Sequence, residues 1–310
     1  MPEVITFGEA MVVLHGPPGV PLAEATGFTR SVAGAEANVA VGLARLGHEA
    51  AWFGRTGDDA FGDVVLRTLR GEGVDVSRAT LDPKAPTGLL VRDCLSSRRI
   101  SVAYYRAGSA GSRLDPTDVD TPWLAGARLL HITGITPALS DSAREATHRA
   151  VDAARAAGVT VSFDPNIRLK LAGPERWCEL LRPLAGSADL VLTGEDEAEL
   201  VSGRTKEAAV DWFLEQGAEL VVVKRGALGA TATDGTSHWE IPVWPVTAVD
   251  PVGAGDAFDA GFLSGRLRGL DVPQSLGLAA RVAAMVVASP GDLPGLPRLA
   301  ELSGLGDADR

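Results

Sequence analysis

Cysteine is scarce in this chain: Cys94 and Cys178 are the only two in 310 residues. Neither stands in a C-x-x-C pair, which excludes a zinc ribbon and a disulfide framework. Two lone thiols suit a reducing compartment. Positive charge is also in deficit, with 29 Lys and Arg against 40 Asp and Glu, a formal charge of −11. That balance argues against non-specific binding to nucleic acid or to an anionic membrane. An anionic small molecule stays possible, because local Arg and Lys act within a Debye length of about 8–10 Å. No apolar run approaches the ~18 residues of a membrane span, and Glu3 stands where a signal peptide would be basic. The expectation is a cytoplasmic protein. The five histidines, His15, His48, His131, His148 and His238, make no i, i+4 pair and no H-E-x-x-H, so none suggests a metal centre. Two familiar nucleotide loops are missing too, the G-x-x-x-x-G-K-[ST] loop and a G-x-G-x-x-G after the first strand.

What is present is globular: 45% of residues are hydrophobic and 22% charged, which excludes a disordered chain. Short β-branched runs at 4–7, 51–53, 129–132, 159–163, 190–192 and 220–223 alternate with helical spacing. Continuous apolar strands between helices indicate a parallel sheet covered on both faces. Helices are expected at 38–46, 141–157 (capped by Ser140), 205–216, 254–267 and 273–288. Residues 27–33 and 88–106 read instead as strands without a crossover helix. Ser96-Ser97-Arg98-Arg99 would be the turn of a hairpin there. These form a small separate β-sheet. The tail 304–310 should fray.

The most informative segment is Asp250-Pro251-Val252-Gly253-Ala254-Gly255-Asp256. A strand should end at Val249, with Pro251 and Gly253 turning the chain into a helix that starts near Ala254. Two glycines let backbone amides converge on a helix N-terminus, which makes an anion site. Asp256 sits in that first turn. The plain alternative is an acid that merely complements the helix dipole.

This segment resembles the second signature of the ribokinase, or PfkB, family of sugar kinases. Ala33-Gly34-Ala35-Glu36-Ala37-Asn38-Val39-Ala40 resembles the first signature, with Ala33 in place of a usual glycine, and residues 54–62 also fit. The resemblance covers essentially the whole chain. It implies a three-layer α/β/α sandwich with a small β-sheet lid, as one domain over 1–310, the lid built from about 11–33 and 86–110. It implies transfer of the γ-phosphoryl of ATP to a sugar hydroxyl. Asp256 would be the catalytic base, and the amides of Gly253, Ala254 and Gly255 the anion hole. Such a transition state needs fixed dipoles and one group to accept the hydroxyl proton.

The resemblance implies further roles. Lys224, Gly226, Leu228 and Gly229, after the strand at 220–223, match the family's nucleotide loop, and Asn166 and Arg168 would also reach ATP. Relatives carry Asn-x-x-Glu where this chain has Gly194 and Glu197, so Glu197, with Glu195, would hold Mg²⁺ through water. Asp250, with carbonyls near Ser289 and Gly291, matches a region that binds K⁺ in many relatives.

For the acceptor, Tyr104 and Arg106 share one face of a strand, and Arg168 follows a strand end. An aromatic hydroxyl beside guanidinium groups suits a sugar carboxylate. These residues resemble the 2-keto-3-deoxygluconate kinase branch, in which Tyr104, Arg106 and Arg168 would contact the acid sugar. Gly34, Ala35 and Asn38 would bind its hydroxyl side, with Leu90 where the branch tends to carry an aromatic. Val13 stands near the place where ribokinases and fructokinases usually put an Asp, which suits a deoxy sugar. Fructokinase is the alternative within the family. An NAD oxidoreductase is disfavoured by the missing fingerprint, and a silent scaffold by the intact Gly253–Asp256 motif. An exposed lid edge or face would favour a homodimer or a higher homo-oligomer.

Overall fold

The computed structural model describes residues 1–94 and 102–303. The expected turn at 96–99 and the tail 304–310 lie outside them. In chain order the first half holds β1 (Val4–Phe7), β2 (Met11–Pro18), β3 (Thr29–Ala33), α1 (Ala35–Arg45), β4 (Ala50–Phe53), β5 (Arg55–Gly57), α2 (Ala60–Gly71), β6 (Thr80–Asp82), β7 (Leu89–Cys94), β8 (Val102–Tyr105), α3 (Thr121–Leu124), β9 (Leu129–Thr133), α4 (Ile135–Leu139) and α5 (Asp141–Ala156). The rest is β10 (Thr160–Asp164), α6 (Pro174–Ala185), β11 (Leu190–Gly194), α7 (Glu195–Ser202), α8 (Glu207–Glu215), β12 (Leu220–Lys224), β13 (Ala230–Thr233), β14 (His238–Ile241), α9 (Ala254–Leu267), α10 (Val272–Val287) and α11 (Leu299–Ser303).

The main sheet has the order β14-β13-β12-β11-β10-β9-β1-β4. Six strands, β4 to β12 in that order, run parallel, as their apolar runs require. The expectation of a purely parallel sheet is corrected at one edge, where β13 and β14 add an antiparallel hairpin. Alternation sends neighbouring residues to opposite faces. Ile5, Leu130, Val161 and Val221 pack beneath α5 to α8, while Val4, Leu129, Leu190 and Leu220 pack against α1, α9 and α10. Helices on both faces make the α/β/α sandwich.

A second sheet, β3-β2-β7-β8, stands apart as the lid. Its central pair is parallel, with Val12 beside Leu89, while β3 and β8 flank it antiparallel. Below it lies a third core of Val12, Val32, Val65, Leu66 and Trp52.

Local chemistry explains several boundaries. The Ser140 hydroxyl accepts the Ala143 amide at 3.1 Å and starts α5. Asp271 and Gln274 cap α10 reciprocally. The helix expected from residue 38 begins at Ala35, because Gly34 serves as its N-cap. The strand expected to end at Val249 does not form. Residues 242–249 are irregular, and Pro242 and Pro245 have no N–H to give a ladder. Helices α2, α6 and α7 were not anticipated. Asp59, which caps α2 through two amides, was the readable signal for the first.

Candidate active site

Parallel strands end where their loops converge, and that rim holds a cavity of about 850 Å³. Val13, Leu90, Arg92 and Tyr104 approach it from the lid. Asp164, Asn166, Arg168, Glu197, Lys224 and Gly253 to Asp256 approach it from the body. A second cavity of about 460 Å³ adjoins it, and Val102, Tyr104 and Arg168 line both.

The turn into α9 is set by Gly253, the helix N-cap at φ 80°. That left-handed conformation favours glycine, and a Cβ there would stand 3.0 Å from Asp292 Cα. The unpaired amides of a first helical turn face outward. Here the Ala254 amide also donates to the Pro251 carbonyl at 3.3 Å, so Gly253 and Gly255 are the freer donors. Asp256 follows, buried, its carboxylate accepting Asn38 Nδ2 at 2.7 Å and Asn166 Nδ2 at 3.3 Å. Burial pushes its pKa up, while the Asn38 hydrogen bond and the charge of Arg168 oppose that rise. Asn166 reaches it from φ 42°, a left-handed conformation that asparagine tolerates better than most residues.

Lys224 Nζ lies 2.9 Å from Asp164 and 3.1 Å from Asp259. Its positive charge is therefore already matched by two carboxylates. It remains beside the anion-receptive turn, 3.9 Å from where a Gly255 Cβ would be. Gly226 and Gly229 line the main cavity. Leu228, expected with them, is 63% exposed and does not line it.

The two acids expected at the metal separate. Glu195 faces outward and pairs with Arg225 at 3.3 Å, because its place at the start of α7 points away from the cavity. Glu197 lines the cavity, and its oxygens accept the Ile167 amide at 2.7 Å and the Gly194 amide at 2.9 Å. Each oxygen keeps a lone pair, which fits a hydrated Mg²⁺ held through water. Among the described residues no group of three or more His, Cys, Asp or Glu is placed to hold a metal ion directly.

On the acceptor side, Arg168 is exposed, and its recorded bond is to the neighbouring Ile167 carbonyl at 3.3 Å. Arg106, expected beside it as a second free cation, is buried and ion-paired with Glu9. Ser109 also donates to Glu9 at 2.5 Å. Arg106 still borders the second cavity, its guanidinium 5.6 Å from the Tyr104 ring centre. Gly34 and Ala35 are buried and do not line either cavity. A Cβ at Gly34 would stand 2.4 Å from the Glu9 carbonyl oxygen, so glycine there serves a close backbone approach. Asn38 reaches the site through Asp256.

Three groups were missed. Arg92 carries the carboxylate of Asp250 in a buried ion pair, at the place where a monovalent cation was expected. Asp292 lines the main cavity, and burial followed by the charge of Asp256 pushes its pKa up to about 6. Lys170 borders the second cavity. Isolated charges have no spacing pattern that could have flagged them.

A glycine-built helix N-terminus beside a buried carboxylate, at strand ends and under a β-lid, defines a phosphoryl-transfer enzyme of the ribokinase-like α/β class. The chain belongs to the pfkB family of carbohydrate kinases, whose sequence profile matches residues 1–299. It is 38% identical to a 2-dehydro-3-deoxygluconokinase of Bacillus subtilis (strain 168), over 99% of this chain and 96% of that one. Among solved structures it is similar to a PfkB protein from Polaromonas sp. JS666, with 40% identity, TM-score 0.90 and coverage of 98% and 99%. It is also similar to a putative ribokinase II from E. coli in complex with ATP and Mg²⁺, with 28% identity, TM-score 0.92 and 98% of both chains covered.

Proposed function

We propose that this carbohydrate kinase phosphorylates the terminal hydroxyl of 2-keto-3-deoxygluconate, also called 2-dehydro-3-deoxygluconate. The observation that carries the acid sugar is Arg168, an exposed guanidinium on the wall shared by two adjoining cavities. A carboxylate there gains a charge-assisted partner. Tyr104 and Lys170 stand beside it, with Lys170 Nζ 6.0 Å from the Tyr104 ring.

In this reading ATP lies in the larger cavity, its base against Val243, Trp244 and Val246. Asp256 takes the proton as the acceptor oxygen bonds to the γ-phosphorus and the bridge to ADP breaks. Asn38 and Asn166 aim that carboxylate. The amides of Gly253 and Gly255 receive the charge that develops on the phosphoryl group. Glu197 would hold Mg²⁺ through water, and the ion would offset phosphate charge. A potassium ion at Asp250 would have to compete with Arg92, so the reading includes none.

The test is a coupled ADP-release assay with 2-keto-3-deoxygluconate, fructose and ribose. Asp256→Asn should lower kcat by about 10²–10⁴. Arg168→Ala should cost roughly 10- to 100-fold in kcat/KM on the acid sugar and much less on fructose. Equal losses on both would remove Arg168 from acid recognition. A wild-type preference for fructose would make the protein a fructokinase.

We also propose a homodimer joined through the outer face of the lid, where Tyr105 and Phe28 are 65% and 44% exposed. Light scattering giving a monomer mass would refute it. Dependence on ATP and the scarcity of cysteine favour the cytoplasm.

A further inference from the structure

Asp250 opens the turn that ends at Asp256, and its carboxylate is crowded. Oδ1 accepts the Val252 amide at 3.1 Å, and Oδ2 accepts the Gly291 amide at the same distance. The guanidinium of Arg92 pairs with Oδ2. Both side chains are 7% exposed. Arg92 comes from β7 of the lid, 158 positions away in sequence.

The surroundings leave Arg92 as the cation that answers the Asp250 carboxylate. His15 from β2 lies nearby, and burial together with the adjacent Arg92 charge holds its pKa below the ordinary range. It therefore adds no second cation near neutrality. Asp292 is close enough to feel the charges of both Arg92 and Asp250. A buried carboxylate without a cation carries a large desolvation penalty, and a guanidinium cannot relieve its own charge by losing a proton.

We propose that Arg92 is a built-in monovalent cation: its guanidinium occupies the carboxylate that would otherwise need an alkali ion, and the enzyme turns over without one. This rests on reading Asp250 to Asp256 as the anion-receiving turn. The lid gains a second role from the same pair. Leu90 and Tyr104 reach the cavity from β7 and β8, and Arg92 ties that sheet to the turn, so lid position and turn shape are set together.

The test compares initial rates in potassium, sodium and tetramethylammonium chloride at matched ionic strength, for the wild type and Arg92→Ala. Wild-type rates should be the same in all three salts. Potassium should raise the wild-type Tm no more than sodium does. Arg92→Ala leaves both an uncompensated carboxylate and a space. Its rate in tetramethylammonium should fall roughly 10-fold or more, and potassium or guanidinium ion should restore part of it. The variant's Tm should then rise with potassium more than with sodium.

A wild-type enzyme that needs potassium would overturn the proposal. So would a folded Arg92→Ala protein that no small cation rescues, because Arg92 would then only hold the lid. If the variant fails to fold, the wild-type series decides alone. The melting series needs no substrate, and the rates can be read with any acceptor that supports turnover. A mistaken sugar assignment therefore leaves this test intact, and the Asp256→Asn assay judges the turn itself.

Discussion

Glu36 is a carboxylic acid sealed beside the site. Its Oε1 accepts the hydroxyls of Thr133 at 2.7 Å and Thr136 at 2.6 Å. Burial pushes its pKa up to about 7. The folded protein therefore holds this proton more tightly than the unfolded chain does. The resulting stability is complete below about 4.5, the ordinary value, and is lost as pH rises through about 7. Glu36→Gln keeps an oxygen that can accept both hydroxyls and removes the charge. Its stability advantage over wild type, followed by thermal unfolding, should grow between about pH 5 and pH 8, by up to ~2–3 kcal/mol. A difference that does not change with pH would show that Glu36 does not titrate there. The sequence revealed such residues unevenly. Gly253 and Asp256 were legible because a turn and its helix are local; spacing marked the anion site, and the roles proposed for them come from the family resemblance. Arg106 and Arg92 were not, because alternation along a strand tells a face and no more. Their partners, Glu9 and Asp250, are distant in sequence and come together only when the lid docks on the body.

Helices α9 and α10 pack closely through small residues. A Cβ at Gly261 would stand 2.7 Å from Ala279 Cα, and one at Gly265 would stand 2.7 Å from Ser275 Oγ. The Gly261 clash is with backbone, so the helices themselves must separate. Gly261→Ala should cost about 1–3 kcal/mol, seen as a lower Tm. Because Asp256 is carried at the N-terminus of α9, kcat should fall as well. An unchanged Tm would mean that the helix pair yields to an added methyl group without cost. At this scale the sequence was readable wherever a local signal ends an element. Ser140 before α5 and the apolar runs of the six parallel strands are examples. It was misleading at 242–249, where an apolar run looked like a strand. The two prolines deny that run a ladder, and its side chains line a cavity instead. The edge hairpin of β13 and β14 was missed because its strands, Ala-Thr-Ala-Thr and His-Trp-Glu-Ile, carry no continuous apolar run of the kind that marked β1 and β4.

The molecule as a whole is one sandwich closed from above by a sheet drawn from two separate stretches of chain. In the central lid pair, Val12 lies beside Leu89. The chain between them, which carries α1, β4 and α2, has to be closed into one long loop for those strands to meet. Closing so long a loop costs entropy before the contacts return any. Body and lid should therefore form at different times. In refolding from denaturant, far-ultraviolet circular dichroism and burial of Trp177, which is fully enclosed in the body core, should recover before turnover does. Coincident recovery of all three signals would contradict this order. The parallel pairing of β2 with β7 thus works as a checkpoint in assembly. Until it forms, the turn into α9 would lie open to water, and in this order of folding turnover should appear only at the last step.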